Sequence, residues 1–254
     1  MVPLSDQAVA ILLLTLRVVP ALAFAEPFTL LRVPAIVRVL LSISLAAWLV
    51  AANPAQTWQS GFAQHGLALA AMNELVLGIG LSLSLHFAFA ALLTVGRALD
   101  IQAGFGLAVL VDPTTKNQMP LVGTLFAYAA AAIFFTSDGP ANLLAIWAAS
   151  VQAVPLGTGA LSGDLGRLLG YLSSAFVIAC GLGGAIMLAL FLADLAIAFM
   201  SRTLPQMNVM LLGFQVKALM TLALLPTAVA LSGALFVRLL RTALEAAPQL
   251  VAAG

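Results

Sequence analysis

Between Leu168 and Met200 the only charged side chain is Asp194. About 20 apolar residues in α-helix cross a bilayer, so this run is longer than one span needs. Further apolar segments read as 8–25, 36–52, 66–95, 121–135, 141–154 and 207–237. Such runs leave little to face water. The chain is 63% hydrophobic and 7% charged, with a mean hydropathy of +1.14, whereas about a quarter of a soluble domain is charged. The polar groups are too few to cover a water-facing surface, so the chain reads as an integral membrane protein. Ala and Leu dominate without period-two alternation, which favours helices over an outer-membrane barrel. The expected fold class is all-α, with kinked helical hairpins.

The segments are uneven. Runs 66–95 and 168–200 exceed a single span, while 121–135 and 141–154 fall short of one and are separated by the turn-forming Thr136-Ser137-Asp138-Gly139-Pro140. That middle pair is either a re-entrant hairpin or two short helices inside a complex. Pro20, Pro27, Pro34, Pro155, Pro205 and Pro226 lie within or beside apolar segments and are expected to kink or end helices. Gly78, Gly80, Gly181, Gly183 and Gly184 offer close backbone approach between helices. The N-terminal run lacks a basic region and a small-residue cleavage site, so it is expected to stay in the mature protein.

One stretch stands apart, GFGLAVLVDPTTKNQMP from Gly104 to Pro120. Asp112-Pro113 breaks helical geometry, yet Ala108, Val109, Leu110 and Val111 are apolar. Irregular backbone at membrane depth is tolerated only where protein or a water-filled cavity surrounds it. Two readings stand: a plug or gate, or an ordinary turn with a buried apolar anchor.

Charges within the apolar runs narrow the function. Arg17, Glu74, Asp194 and Lys217 lie inside or at the edge of hydrophobic segments. Each costs about 2.5–3.5 kcal/mol near a bilayer centre, so each should face protein or water. Arg97 and Asp100 are spaced to pair on one helix face. A secondary transporter would use such groups as an ion path, but it usually shows internal repeats and paired broken helices. Neither is evident, so contacts that hold an assembly are the better reading. The net charge of +1 gives nucleic acid no support as a partner. Cys180 is the only cysteine and reads as a small packing residue, and neither His65 nor His86 belongs to a cluster with metal-ligand spacing. No metalloprotease, nucleophile-elbow or phosphate-cradling motif occurs, so no enzyme activity and no cofactor are expected.

Six segments stand in order along the chain: RVVPALAFAEPFTLLRVPAIVR, with Arg17 and Arg38; NELVLGIG, with Glu74; GRALDIQAGFGLAVLVDPTTKNQMP; IFFTSDG; Pro155-Leu156-Gly157; and RTLPQMNVMLLGFQVK, from Arg202 to Lys217. Together they resemble the FliR family of bacterial flagellar export, known as SctT in virulence-type secretion systems. IQAGF and LPQMNV lean towards the flagellar branch. Gln215 stands where many relatives carry proline.

The resemblance implies a core channel subunit of the flagellar type III export gate in the bacterial inner membrane, within the flagellar basal body. The same role in a virulence injectisome is the alternative. It implies FliP-like, FliQ-like and FlhB-like partners, membrane lipid around the assembly and unfolded secreted proteins as cargo. The single export-gate domain, 1–254, would be a fusion of a FliP-like region, residues 1–167, with a FliQ-like hairpin region, residues 168–254. The hairpin tip would carry Pro205, Gln206 and Asn208. The plug would be formed by Gly104, Phe105, Gly106, Leu107, Val109, Leu110, Asp112 and Pro113. Arg17, Glu74, Arg97, Asp100, Asp194, Arg202 and Lys217 would be buried assembly charges. Topology is read two ways. The Lys/Arg distribution puts Arg202 opposite the cytoplasmic C-terminus, whereas a FliQ-like hairpin would point its tip to the cytoplasm.

Overall fold

A computed structural model describes residues 4–30, 33–57, 66–105, 121–157, 165–203 and 209–251. Among these residues the secondary structure is entirely helical. The helices are α1 (Leu4–Phe24), α2 (Ala35–Ala52), α3 (Pro54–Thr57), α4 (Leu67–Ala103), α5 (Leu121–Thr136), α6 (Gly139–Ala153), α7 (Leu165–Thr203), α8 (Val209–Leu231) and α9 (Gly233–Val251). Among the described residues five, α1, α2, α4, α7 and α8, are long and apolar enough to cross a membrane. The chain is an all-α integral membrane protein.

The apolar segments map onto these helices, with two differences. The run 66–95 continues as helix to Ala103, so Arg97 and Asp100 belong to α4. The run 207–237 does not continue as one helix. It ends at Leu231, turns at Ser232, and restarts at Gly233 as an amphipathic helix. On α9, Phe236, Leu239, Leu240, Ala243, Leu244 and Ala247 are buried, while Arg238, Arg241 and Glu245 are exposed. That is a 3.6-residue period, which averaged hydropathy conceals.

The short middle segments are separate helices, α5 and α6, bent by 73° at Ser137-Asp138. Asp138 is the N-cap residue of α6 and Gly139-Pro140 open it, which suits a proline whose missing N–H is one of the unpaired donors of a first turn. Pro20 and Pro226 lie inside α1 and α8, which continue through them. Several helical hydroxyls donate to their own backbone: Ser42 donates to the Arg38 carbonyl at 2.8 Å, Thr94 to Ala90 at 2.8 Å and Thr221 to Lys217 at 2.8 Å. That local solution suits an environment without water.

The chain divides into two compact units. The first comprises Met1–Ala88, Ala131–Ser173 and Leu240–Gly254, and the second Phe89–Ala130 and Ser174–Leu239. In the first unit α1 buries Leu13, Leu14, Val18 and Leu22, α4 buries Leu77, Leu81 and Leu85, and α6 buries Leu143, Trp147 and Val151. Phe28, in the turn after α1, meets Phe134 and Phe135 edge-on at 6.1 and 5.8 Å. The Tyr171 hydroxyl donates to the Ser84 carbonyl. In the second unit α4 buries Phe89, Leu92 and Leu99, α7 buries Leu182, Ile186 and Leu190, and Phe126 meets Phe236 edge-on at 6.0 Å. Cys180 is exposed, so it does not pack the interior of the chain.

Close helix approach depends on particular glycines. A Cβ at Gly78 would lie 2.5 Å from the Arg17 carbonyl oxygen, so α1 and α4 touch there backbone to backbone. A Cβ at Gly96 would lie 2.0 Å from Cα of Gly123, where α4 meets α5. Gly183 is hemmed in by Val95 Cγ1 at 2.7 Å, whereas Gly184 has open space and Gly181 makes only ordinary contact. Backbone cannot yield as a flexible side chain can. Gly78→Ala and Gly96→Ala should each destabilise the chain by about 1–3 kcal/mol. Gly184→Ala should be neutral or stabilising by up to about 1 kcal/mol, through helix propensity. Thermal unfolding of the purified chain in detergent checks this contrast, and equal midpoints for Gly78→Ala, Gly96→Ala and Gly184→Ala would remove the packing argument.

Candidate gate stem and buried ion pairs

In the first unit Arg17 and Glu74 form a buried, two-pronged ion pair. Arg17 is 1% exposed and Glu74 0%. Arg17 Nε donates to Glu74 Oε2 at 2.6 Å and Nη2 donates to Oε1 at 3.0 Å. The remaining guanidinium donors reach the C-terminal end of α6, with Nη1 2.9 Å from the Ser150 carbonyl and 3.1 Å from that of Val154. The Gly157 N–H then donates to Glu74 Oε1 at 3.0 Å. The planar fork of Arg suits this geometry, and a cation at a helix C-terminus is electrostatically favourable. Gly78 sits one turn beyond Glu74 and lets the Arg17 backbone come close enough for the pair to form. Ser150 accepts through its carbonyl and, at 3.4 Å, its hydroxyl, while Val154 and Gly157 contribute through backbone groups, which composition does not reveal. Pro155-Leu156-Gly157, already noticeable as a motif, was the available signal.

The second unit holds both flanks of the stretch Gly104–Pro120. Gly104 has φ +90°, its N–H donates to the Ile101 carbonyl at 3.2 Å, and the Phe105 N–H donates to the Asp100 carbonyl at 2.9 Å. This is a Schellman ending, which favours glycine at the left-handed position. On the far side the Val122 N–H, in the first turn of α5, donates to Asp100 Oδ1 at 3.1 Å. One residue, 6% exposed, therefore joins the chain where it leaves α4 and where it enters α5. Gln102 Nε2 donates to the Met187 carbonyl at 3.1 Å and ties the last turns of α4 to α7.

This geometry corrects the pairing expected for Arg97 and Asp100. Arg97 is exposed, and no Arg97–Asp100 ion pair occurs among the described residues. The donors at the start of α5 take the place of the cation, because a helix N-terminus carries unpaired N–H groups and partial positive charge. Asp100 Oδ2 has no hydrogen-bond partner among the described residues.

Asp194 and Lys217 do pair, from α7 and α8, at 2.9 Å, with the lysine side chain 15% and the carboxylate 44% exposed. Lys217 Nζ also lies 5.7 Å from the centroid of Phe214. Phe214 in turn lies against Gly104, where an added Cβ would meet Cδ1 of its ring at 2.6 Å. Sequence reading missed Phe214, since only its GF dipeptide within the family-like run marked it. Arg202 is exposed in the last turn of α7, where its charge complements the helix C-terminus. Gly106, Leu107, Val109, Leu110, Asp112 and Pro113 lie outside the described residues, as do Pro205, Gln206 and Asn208. His86 lies on α4 with Nδ1 3.1 Å from Glu26 Oε2. No metal-holding group of His, Cys, Asp and Glu occurs among the described residues.

Removing one partner of a buried ion pair leaves an uncompensated charge and costs about 3–5 kcal/mol. Arg17→Met should lose that much stability. The Arg17→Met, Glu74→Gln double variant should lose less than the sum of its two single changes, because no unpaired charge remains. Unfolding midpoints in detergent test the cycle, and strict additivity would show that the two side chains act independently.

Comparison with known proteins places these features in a family. The profile of bacterial export proteins, family 1, matches residues 8–243. The flagellar biosynthetic protein FliR of Bacillus subtilis (strain 168) is 32% identical over 157 residues, covering 59% of this chain and 59% of that protein. FliR of Escherichia coli (strain K12) is 27% identical over 145 residues, covering 57% and 56%. The Yop proteins translocation protein T of Yersinia pestis is 28% identical over 148 residues, covering 57% of each chain. The matched stretch spans just under three fifths of the length of these relatives. With the family profile matched from the first membrane helix to the last amphipathic one, the chain belongs to the bacterial export proteins, family 1.

Proposed function

We propose that this chain is a core membrane subunit of a type III protein export gate, which passes unfolded proteins across the bacterial inner membrane. The observation that carries the reading is the family match over residues 8–243, laid on a chain with five helices, among the described residues, long and apolar enough to span a bilayer. The flagellar system is the first choice, in line with the 32% identity to FliR of Bacillus subtilis. An injectisome is the second, favoured by the 28% identity to the Yersinia translocation protein. FliP-like, FliQ-like and FlhB-like proteins would be its neighbours. Residues 1–167 would correspond to a FliP-like subunit, and residues 168–254, with α7 and α8 as the arms, to a FliQ-like hairpin.

Conduction in this reading involves no covalent chemistry. The stretch Gly104–Pro120 acts as an apolar constriction that blocks ions by dewetting and yields when an unfolded chain displaces it. What supports it is the apolar sequence of the stretch, together with the hydrogen bonds by which Asp100 holds both flanks. Arg17, Glu74, Arg97 and Arg202 serve the stability of the chain and its assembly.

Deleting Gly106–Val111 should leave the complex assembled, as judged by co-purification in mild detergent, but leaky to small ions, with export partly retained. If the deletion blocks assembly, and no leak appears once assembly is restored, the stretch is a structural turn and the gate reading fails.

A further inference from the structure

We propose that Lys217 is a positioning residue. Clamped by Asp194, its ammonium holds the Phe214 ring as the seat on which α4 ends at Gly104. The inference rests on the gate reading above, but its own residues are all described side chains and backbone of the second unit.

The geometry is a chain of three contacts. Asp194 Oδ1 lies 2.9 Å from Lys217 Nζ, which fixes the end of an otherwise flexible lysine. Nζ sits 5.7 Å from the Phe214 centroid, within cation–π range. The ring then lies against Gly104 closely enough to exclude even a Cβ. Each contact narrows the freedom of the next. A phenyl ring on an apolar helix has several rotamers open to it, and the ammonium selects the one that faces Gly104. Gly104 is where α4 stops and φ turns positive, so the direction in which the chain leaves the helix is set at this ring. An ion pair serving stability alone would not require the cation to lie over an aromatic ring. A lysine serving as a free charge would not be only 15% exposed.

The test separates the pair from the position of its cation. In the assembled complex, Lys217→Met and Phe214→Leu should lose the ion seal, as the Gly106–Val111 deletion does, while Lys217→Arg and Phe214→Tyr should keep it. The exchange Asp194→Lys with Lys217→Asp preserves an ion pair but moves the cation away from the ring, and it should still leak. Co-purification of the complex is measured alongside the leak. A sealed exchange variant would show that the pair alone matters, and a sealed Lys217→Met would remove the role altogether. Either result overturns the proposal. If Lys217→Met and Phe214→Leu fail to assemble while the deletion assembles and leaks, the residues serve assembly and the positioning role is rejected. If the deletion itself does not leak, the gate reading falls and this inference with it. A leaking deletion beside a silent Lys217→Met rejects the positioning role alone.

Discussion

Arg17 is the constraint around which the first unit is arranged. In a bilayer no water is at hand to solvate a buried guanidinium, so its donors must be met by protein. The carboxylate of Glu74 takes two of them, and carbonyl groups at the end of α6 take others. This explains features that look separate in the sequence. Gly78 is needed because the pair forms only if α1 and α4 approach backbone to backbone. α6 can stop short of a full span because carbonyls at its C-terminus, which hydrocarbon would leave unpaired, are occupied by the arginine. The turn at Pro155-Leu156-Gly157 brings a further N–H back to the carboxylate.

The second unit solves the same problem with opposite charge. The first turn of α5 presents N–H groups without intrahelical partners, and a carboxylate is the complementary group. Asp100 supplies it from α4 while its own carbonyl closes the Schellman ending of that helix. Helix ends inside an apolar medium are where polar side chains are needed, and both units place an otherwise costly charge at one. An ionisable residue in a hydrophobic run therefore does not by itself indicate an ion path. In this protein Arg17 and Asp100 are accounted for by backbone groups at helix termini, together with Glu74.

Much of the fold was legible because spanning helices write themselves as long apolar runs. The segments 8–25, 36–52, 121–135 and 141–154 correspond closely to α1, α2, α5 and α6. α9 was not separated from α8, because mean hydropathy stays high across Ser232 while the periodicity changes beneath it. The site was legible in its residue types and only partly in its pairings. Glu74 and Arg17, far apart in sequence, read as costly charges that should face protein or water, and they face each other. Arg97 and Asp100 were paired from i, i+3 spacing, a local rule. The nonlocal competitor, a helix N-terminus, won because it satisfies orphan donors that a surface pair would leave bare. Phe214 was invisible as a neighbour of Gly104 for the same reason, since no local spacing connects α8 to the end of α4.

The exposed faces carry a last distinction. α2 presents Ile36, Val37, Leu40 and Trp48 outward and has no charged residue between Val39 and Ala52. Hydrocarbon can cover such a face without cost. α7 presents Leu188, Phe191, Leu192 and Leu195, equally apolar, but Asp194 on the same helix keeps 44% of its side chain exposed even while paired with Lys217. A half-exposed carboxylate facing lipid tails would forfeit its hydration and keep only one partner. Composition alone makes the two helices look alike. The charge separates them: α2 suits a lipid boundary, and the surface around Asp194 suits contact with another protein chain or with water.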